Sequence, residues 1–345
     1  MSEIEMKHIH CYCLAAVVAL LLMGCKHDEP ASPYKPLDQR RVLVLSTSGE
    51  IYDHSGKKIK QLPNCTFAAE IIADGDDYFV SGVESRGRVG YWKNGKWNTL
   101  HVDFIEDVDH WTYGIGKWDY YIFLLDIPNV LKNSGIFPLE NCHDFIPATH
   151  ALRVSEGKCY VIGSGFDEND EKAHYKPVLY TNYKKEFLPM PDGVVSGECR
   201  AIYAYDRDHT ILGGVIGRQP AVWIDKQYQI YETSTHQYLD GYTPLGSIEA
   251  VTRNADHIYA AGWELTESGD NCATVWIDGS RVHYLSPEAD GTSSRAVDIY
   301  AYDNDIYLLT CEYNKVIDKD IFYLWLNGNI IMSYYDIQAI GFTVL

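Results

Sequence analysis

The sequence predicts an all-β fold, a seven-bladed β-propeller of four-stranded antiparallel blades, and three observations lead there. A strand, a tight turn and a second strand recur in residues 90–100, 221–231, 273–285 and 323–332, with Trp92, Trp223, Trp276 and Trp325 at matching places. Another strand pair precedes each copy, so one repeat holds four short strands. Four strands in roughly 40–45 residues is the rhythm of a propeller blade. The two ends of the chain are also complementary. Residues 41–45 align with second strands and have no first strand before them, while residues 337–345 align with first strands and then stop. Joining them closes the ring and removes an exposed sheet edge.

Each element has its own signal. Third strands are marked by Tyr52, Trp92, Phe137, Tyr180, Trp223, Trp276 and Trp325, spaced 40 to 53 residues apart. Phe137 fills the interval between Trp92 and Tyr180, where the pattern is weakest. Aromatics at a fixed register are expected to pack on the adjacent blade, because one sheet cannot bury its apolar face alone. Asn94-Gly95, Asp278-Gly279 and Asn327-Gly328 join third to fourth strands. Such pairs accept the left-handed backbone of a two-residue hairpin. Gly82, Gly163, Gly214 and Gly262 recur in register on second strands. A glycine inside a strand marks close approach of another backbone.

The composition agrees: 27 Tyr, 8 Trp and 27 Gly favour strands and turns over helices. The N-terminus stands apart. Lys7, His8 and His10 precede an apolar run at 14–23, too short to span ~30 Å of hydrocarbon as a helix but suited to a secretory signal. The run ends in Leu22-Met23-Gly24-Cys25, which resembles the lipobox of bacterial lipoproteins. That resemblance implies cleavage before Cys25 and lipid attachment to it. Lys26, His27, Asp28 and Glu29 follow, and resemble the short acidic signal that sends lipoproteins of Bacteroidetes-type bacteria to the outer face of the outer membrane. Pro30, Pro33 and Pro36 then stiffen a tether. The expected organisation is a signal at 1–24, an acylated cysteine and tether at 25–39, and the propeller at 40–345. Export signal and blade rhythm together resemble the lipid-anchored β-propeller lipoproteins of Bacteroidetes-type bacteria. The resemblance implies a membrane partner through Cys25 and a cell-surface location on the outer membrane. It carries no catalytic motif, so it transfers no active-site residue.

Charge narrows the partners. The chain has 29 basic and 48 acidic residues, a net charge of −19, and removing Lys7, Glu3 and Glu5 with the signal leaves it strongly acidic. Nucleic acid rewards basic surfaces, so it is excluded as a partner. The ring is expected to be a monomer. Cys65, Cys142, Cys159, Cys199, Cys272 and Cys311 are scattered, with no metal-ligand spacing, and read as free apolar thiols. Asp167, Asn169 and Glu171 alternate as in a calcium loop, but the glycine and distal glutamate of that motif are missing. No cofactor and no metal are expected. Hydrolase, zincin and phosphate-loop motifs are absent from the sequence.

Loop length supplies the positional clue. First-to-second and third-to-fourth turns are short and share one rim. The opposite rim is expected to carry long loops at 126–133, 165–174, 233–244, 264–271 and 312–320, where recognition usually sits. Within it His236, Tyr238, Asp240 and Tyr242, with Trp263 opening a neighbouring loop, combine flat aromatics with hydrogen-bonding groups. That mixture suits a glycan or a protein hot spot. The leading expectation is therefore a non-enzymatic, surface-anchored binding propeller. A carbohydrate-active enzyme with paired carboxylates around the channel, and an envelope scaffold with neither, are the alternatives.

Overall fold

A computed structural model describes residues 40–100, 112–133, 135–167, 174–234, 244–284 and 293–345. The chain divides into two units, Met1–Arg40 and Arg41–Leu345. The second is the propeller. Its strands form seven sheets of four, each meandering antiparallel from first to fourth strand, and no helix occurs among the described residues. First strands line the centre: Cys65–Asp74 in blade 2, Thr112–Trp118 in blade 3, Ile146–Ser155 in blade 4. Gly197–Ala204, Gly246–Arg253 and Ser294–Tyr302 continue through blades 5, 6 and 7.

Blade 1 is built from both ends of the chain. Its first strand is Ala339–Val344, paired antiparallel with the second strand Val42–Ser46 in the register Val42↔Val344 to Leu45↔Gly341. Backbone bonds between Arg41 and Leu345 in both directions extend the ladder. The ring therefore closes three-plus-one, as the complementary ends require. An open ring would leave two unpaired edges, which closure satisfies.

The marker positions pack between blades. Trp92, Trp223 and Trp276 are fully buried, and each indole Nε1 donates to a carbonyl in the connection entering its own blade: Pro63 (3.2 Å), Pro189 (2.8 Å) and Glu232 (3.4 Å). Burying such a ring is favourable only when its N–H keeps a partner. Tyr52 and Tyr180 occupy the same place in blades 1 and 4. Blade 3 corrects the sequence reading. Phe137 lies on the fourth strand, Gly135–Pro138, stacked on Tyr183 of blade 4. Leu131, on the third strand Asn129–Lys132, is the residue packed against blade 2 beside Phe79 and Val83. A tryptophan-centred alignment finds an aromatic, whereas packing needs only a large apolar group there.

The hairpin residues do more than turn the chain. Asn94, Asp278 and Asn327 have φ of 50°, 49° and 49°. Their side-chain Oδ1 atoms accept the amides of Tyr78, Ile258 and Ile306, which open the second strands. One short polar side chain thus ties the two turns of a blade together on the same rim.

Antiparallel order puts the second-to-third loops and the inter-blade connections on the other rim. Several are shorter than the sequence suggests. The expected loop at 126–133 is mostly the strand Asn129–Lys132, entered through a cis Ile127–Pro128 bond. That at 312–320 shrinks to residues 315–318, and that at 264–271 to 266–270. The inter-blade connection 188–196 is long, while residues 168–173 and 235–243 of the other expected loops lie outside the described residues.

Candidate functional site

The first strands do not pair in simple register with their neighbours. In blades 5 and 6 the register slips between Cys199 and Ala201 and between Ile248 and Ala250. The residues left over are Arg200 and Glu249. A bulge leaves one residue unopposed and re-aims its side chain. The recurring glycines permit it. A Cβ at Gly214 or Gly262 would sit 2.0 Å from the Glu198 carbonyl oxygen or 1.8 Å from that of Ser247, and Gly82 and Gly163 are equally crowded. Close backbone approach was legible in the sequence; the bulge it serves was not.

Arg200 and Glu249 meet across the blade 5–6 boundary, with Nη1 to Oε1 at 2.8 Å. The same guanidinium donates through Nε and Nη2 to Oε2 of Glu198, at 2.9 and 2.6 Å. Burial pushes the Arg200 pKa down, but the two carboxylates outweigh it and hold the group above its ordinary value. Two cavities of about 260 and 320 Å³ lie on either side of this cluster and share Tyr175, Glu198 and Arg200. Thr149, Ser164 and Glu249 line the first; His174, Gly217 and Pro244 line the second. Tyr175 opens the third strand of blade 4, 37% exposed, its ring centroid 4.0 Å from that of Phe166. This groove lies on the rim of long connections, where the first strands of blades 4 and 5 begin.

Deeper in the channel is a second cluster. Glu70 of blade 2 is 2% exposed, and its Oε2 accepts the amide of Ile115 in blade 3 at 2.9 Å. Its Oε1 binds Arg153 of blade 4 and lies 3.4 Å from His150 Nδ1. Burial raises the Glu70 pKa, but the charges and hydrogen bonds of Arg153 and His150 overcome that and hold it low. His150 sits at φ 56° in the irregular first strand of blade 4. Its Nε2 donates to the Ile340 carbonyl at 2.9 Å. With acceptors at both ring nitrogens, the imidazolium form fits. Burial lowers the His150 pKa, yet Glu70 and Asp298 bring it above its usual value. Asp298 of blade 7 accepts from Ile299 N (2.9 Å) and Phe342 N (3.1 Å), and burial raises its pKa despite nearby His150. Glu70, His150, Arg153, Glu249 and Asp298 all border a cavity of about 200 Å³. That cavity also includes Ala73, Tyr203 and Thr252, so it extends toward the rim of tight turns.

The sequence-predicted site residues fare differently. His236, Tyr238, Asp240 and Tyr242 lie outside the described residues; Pro244, at the end of that connection, lines the groove. Trp263 does not begin a loop. It is a half-buried residue of the strand Ile258–Leu265, paired with Ser247 and Ala273, and does not line the groove. Cys25 also lies outside the described residues. Of the calcium-like loop, Asp167 is described and pairs with Lys176 at 2.9 Å, while Asn169 and Glu171 are not. Among the described residues no group of three or more potential ligands is placed to hold a metal ion. The six cysteines from Cys65 to Cys311 are free, and burial lifts the thiol pKa of Cys159 to about 12.

No family model matches the chain, and no curated protein does. Solved structures similar to it include YCF48 bound to D1 peptide, at TM-score 0.48 and 10% identity, covering 90% of this chain and 86% of that one. A putative TolB from Agrobacterium tumefaciens follows at 0.40 and 10%, covering 87% and 90%. The dihydro-heme d1 dehydrogenase NirN in complex with DHE stands at 0.44 and 12%, covering 91% and 77%. Likeness at this level transfers no ligand and no residue.

Proposed function

We infer that this protein is a lipid-anchored, surface-displayed propeller that binds a glycan or protein partner through the rim carrying its long connections. The observation that carries the reading is the groove beside Arg200, where charged, hydroxyl and aromatic side chains converge on open space. Rigid first strands hold these groups, and preorganised polar groups in a concave site are what ligand recognition uses. Arg41 enters the ring at the start of the second strand of blade 1, on the tight-turn rim. Glycan-array binding and pull-down with the ring, residues 40–345, test the binding claim. Saturable capture of a ligand supports it, and a ring that captures neither glycan nor protein would leave only a scaffold. Lipid labelling that persists in Cys25→Ala would defeat the anchor.

A second reading, a carbohydrate-active enzyme, draws on one observation. Asp298, with its raised pKa, shares a cavity with Glu70. Perturbed carboxylates in a cleft are candidates for acid–base work. Against it, both oxygens of each carboxylate already accept hydrogen bonds or an ion pair from the surrounding strands. Turnover of a glycan panel that disappears in Asp298→Asn, with melting unchanged, would favour the enzyme.

A further inference from the structure

We propose that the groove beside Arg200 is a subsite for a neutral or amino-bearing sugar ring, and that it rejects acidic sugars. This deepens the binding reading above and rests on it. A guanidinium has five N–H donors, and three hydrogen bonds from Arg200 run to Glu198 and Glu249. Two N–H groups remain to donate. Arg200 takes Oε2 of Glu198 and Oε1 of Glu249, leaving the other oxygen of each carboxylate free to accept. Donors of Arg200 and acceptors of Glu198 and Glu249 therefore border one small cavity, with the hydroxyls of Thr149 and Ser164 beside them.

A sugar hydroxyl both donates and accepts, so adjacent hydroxyls on one ring suit that mixture of donors and acceptors. The C–H face of the same ring needs a flat apolar partner. Tyr175 supplies one, braced by Phe166 and 37% exposed at the junction of the two cavities. Volumes of about 260 and 320 Å³ fall near the lower end of small-molecule sites, about 300–1,000 Å³, which suits one or two rings better than a peptide segment. The sign of the charge completes the argument. Two carboxylates face one guanidinium, so the cluster carries an excess negative charge. A carboxylate or sulfate on the ligand would be repelled and an ammonium attracted.

The test uses the full chain in detergent with methyl glucoside, methyl galactoside, methyl mannoside, glucosamine and glucuronate as probes, read by saturation-transfer NMR and calorimetry at neutral pH. We expect saturable binding of at least one neutral or amino sugar, with glucuronate at least tenfold weaker. Arg200→Ala and Tyr175→Ala should each weaken binding at least tenfold. Glu198→Gln, which keeps the shape of the cluster, guards against a folding artefact. It should weaken glucosamine more than the neutral glycosides. Equal affinity for glucuronate and methyl glucoside would overturn the proposal, as would full affinity in both Arg200→Ala and Tyr175→Ala. If none of these sugars binds while a protein partner is captured by the wild type, the sugar assignment fails and the binding reading stands. If neither is bound, both fall.

Discussion

Two charged clusters sit on the first strands of this ring, and they differ in what their carboxylates still have to do. In the channel, Glu70, Arg153, His150 and Asp298 are paired with one another or with backbone groups of blades 1, 3 and 7. They link Ile115 of blade 3 and the closing strand, through Ile340 and Phe342, to blades 2, 4 and 7. At the groove, Glu198, Arg200 and Glu249 pair among themselves yet retain donors and acceptors toward open space. Charge at the centre of a propeller is thus not itself a site. A cluster whose carboxylate oxygens are all taken braces the ring, and one whose carboxylates keep an open oxygen can hold a ligand.

The largest effect should come from unpairing the braced cluster. Glu70→Ala leaves the buried Ile115 amide unpaired and removes the buried partner of Arg153. The Arg153 side chain is itself 31% exposed, so the loss should fall toward the lower end of the buried-pair range. Removing one partner of a buried pair typically costs about 3–5 kcal/mol, so the denaturation midpoint should fall steeply. A loss under ~1 kcal/mol in urea unfolding would mean that the channel cluster braces nothing.

Next in size is the backbone device that creates the bulges. Gly262→Ala places a methyl 1.8 Å from the Ser247 carbonyl oxygen, so the strands must part. Overpacking costs typically 1–3 kcal/mol. Because the adjacent bulge presents Glu249, the variant should also weaken any ligand held at Arg200. Unchanged melting and binding would separate the glycine rhythm from the groove.

These positions show what was legible in the sequence. Blade count, closure and the buried tryptophans follow from hydrophobic rhythm and complementary ends, which depend on local pattern alone. The glycines were readable as close approaches, since only a missing Cβ allows them. Arg200 and Glu249 were not readable as partners. They are 49 residues apart, and their meeting depends on a one-residue slip in each of two sheets. Glu70 and Asp298 were two acids among 48, and nothing in their neighbours sets them apart before the ring brings them together. Leu131 was missed for Phe137 because a marker defined by ring chemistry passes over an aliphatic residue doing the same packing. Loop lengths were overestimated at 126–133 and 312–320 because their turns are short and strands resume immediately.

pH offers a finer division within the channel. Glu70 is held below its ordinary value, so its ionised form stabilises the fold above its unfolded pKa. That contribution is lost as pH falls through the lower folded value. Asp298 and His150 are raised, so their protonated forms carry stability that is full below their unfolded pKa values and is lost as pH rises through the folded ones. The two carboxylates therefore oppose each other. Relative to wild type, the deficit of Glu70→Gln should grow between acid and neutral pH, while the standing of Asp298→Asn should improve. One proton bounds each slope at about 1.4 kcal/mol per pH unit. Parallel slopes, measured by urea unfolding across pH, would show that the two acids do not titrate in opposite senses.

The smallest effect on stability belongs to the groove, and it decides the comparison. The side chain of Glu198 is 45% exposed and shares Arg200 with Glu249, so Glu198→Ala leaves the guanidinium paired and near water. Partly exposed ion pairs contribute about 0–1 kcal/mol, so the urea midpoint should barely move. Ligand capture should nevertheless drop, because the lost carboxylate supplied an open acceptor. A Glu198→Ala variant as unstable as Glu70→Ala would make the groove a second brace. A stable variant with undiminished capture would place recognition elsewhere on the rim. Loss of capture without loss of stability is the result that distinguishes a cluster built to hold a ligand from one built to hold the ring.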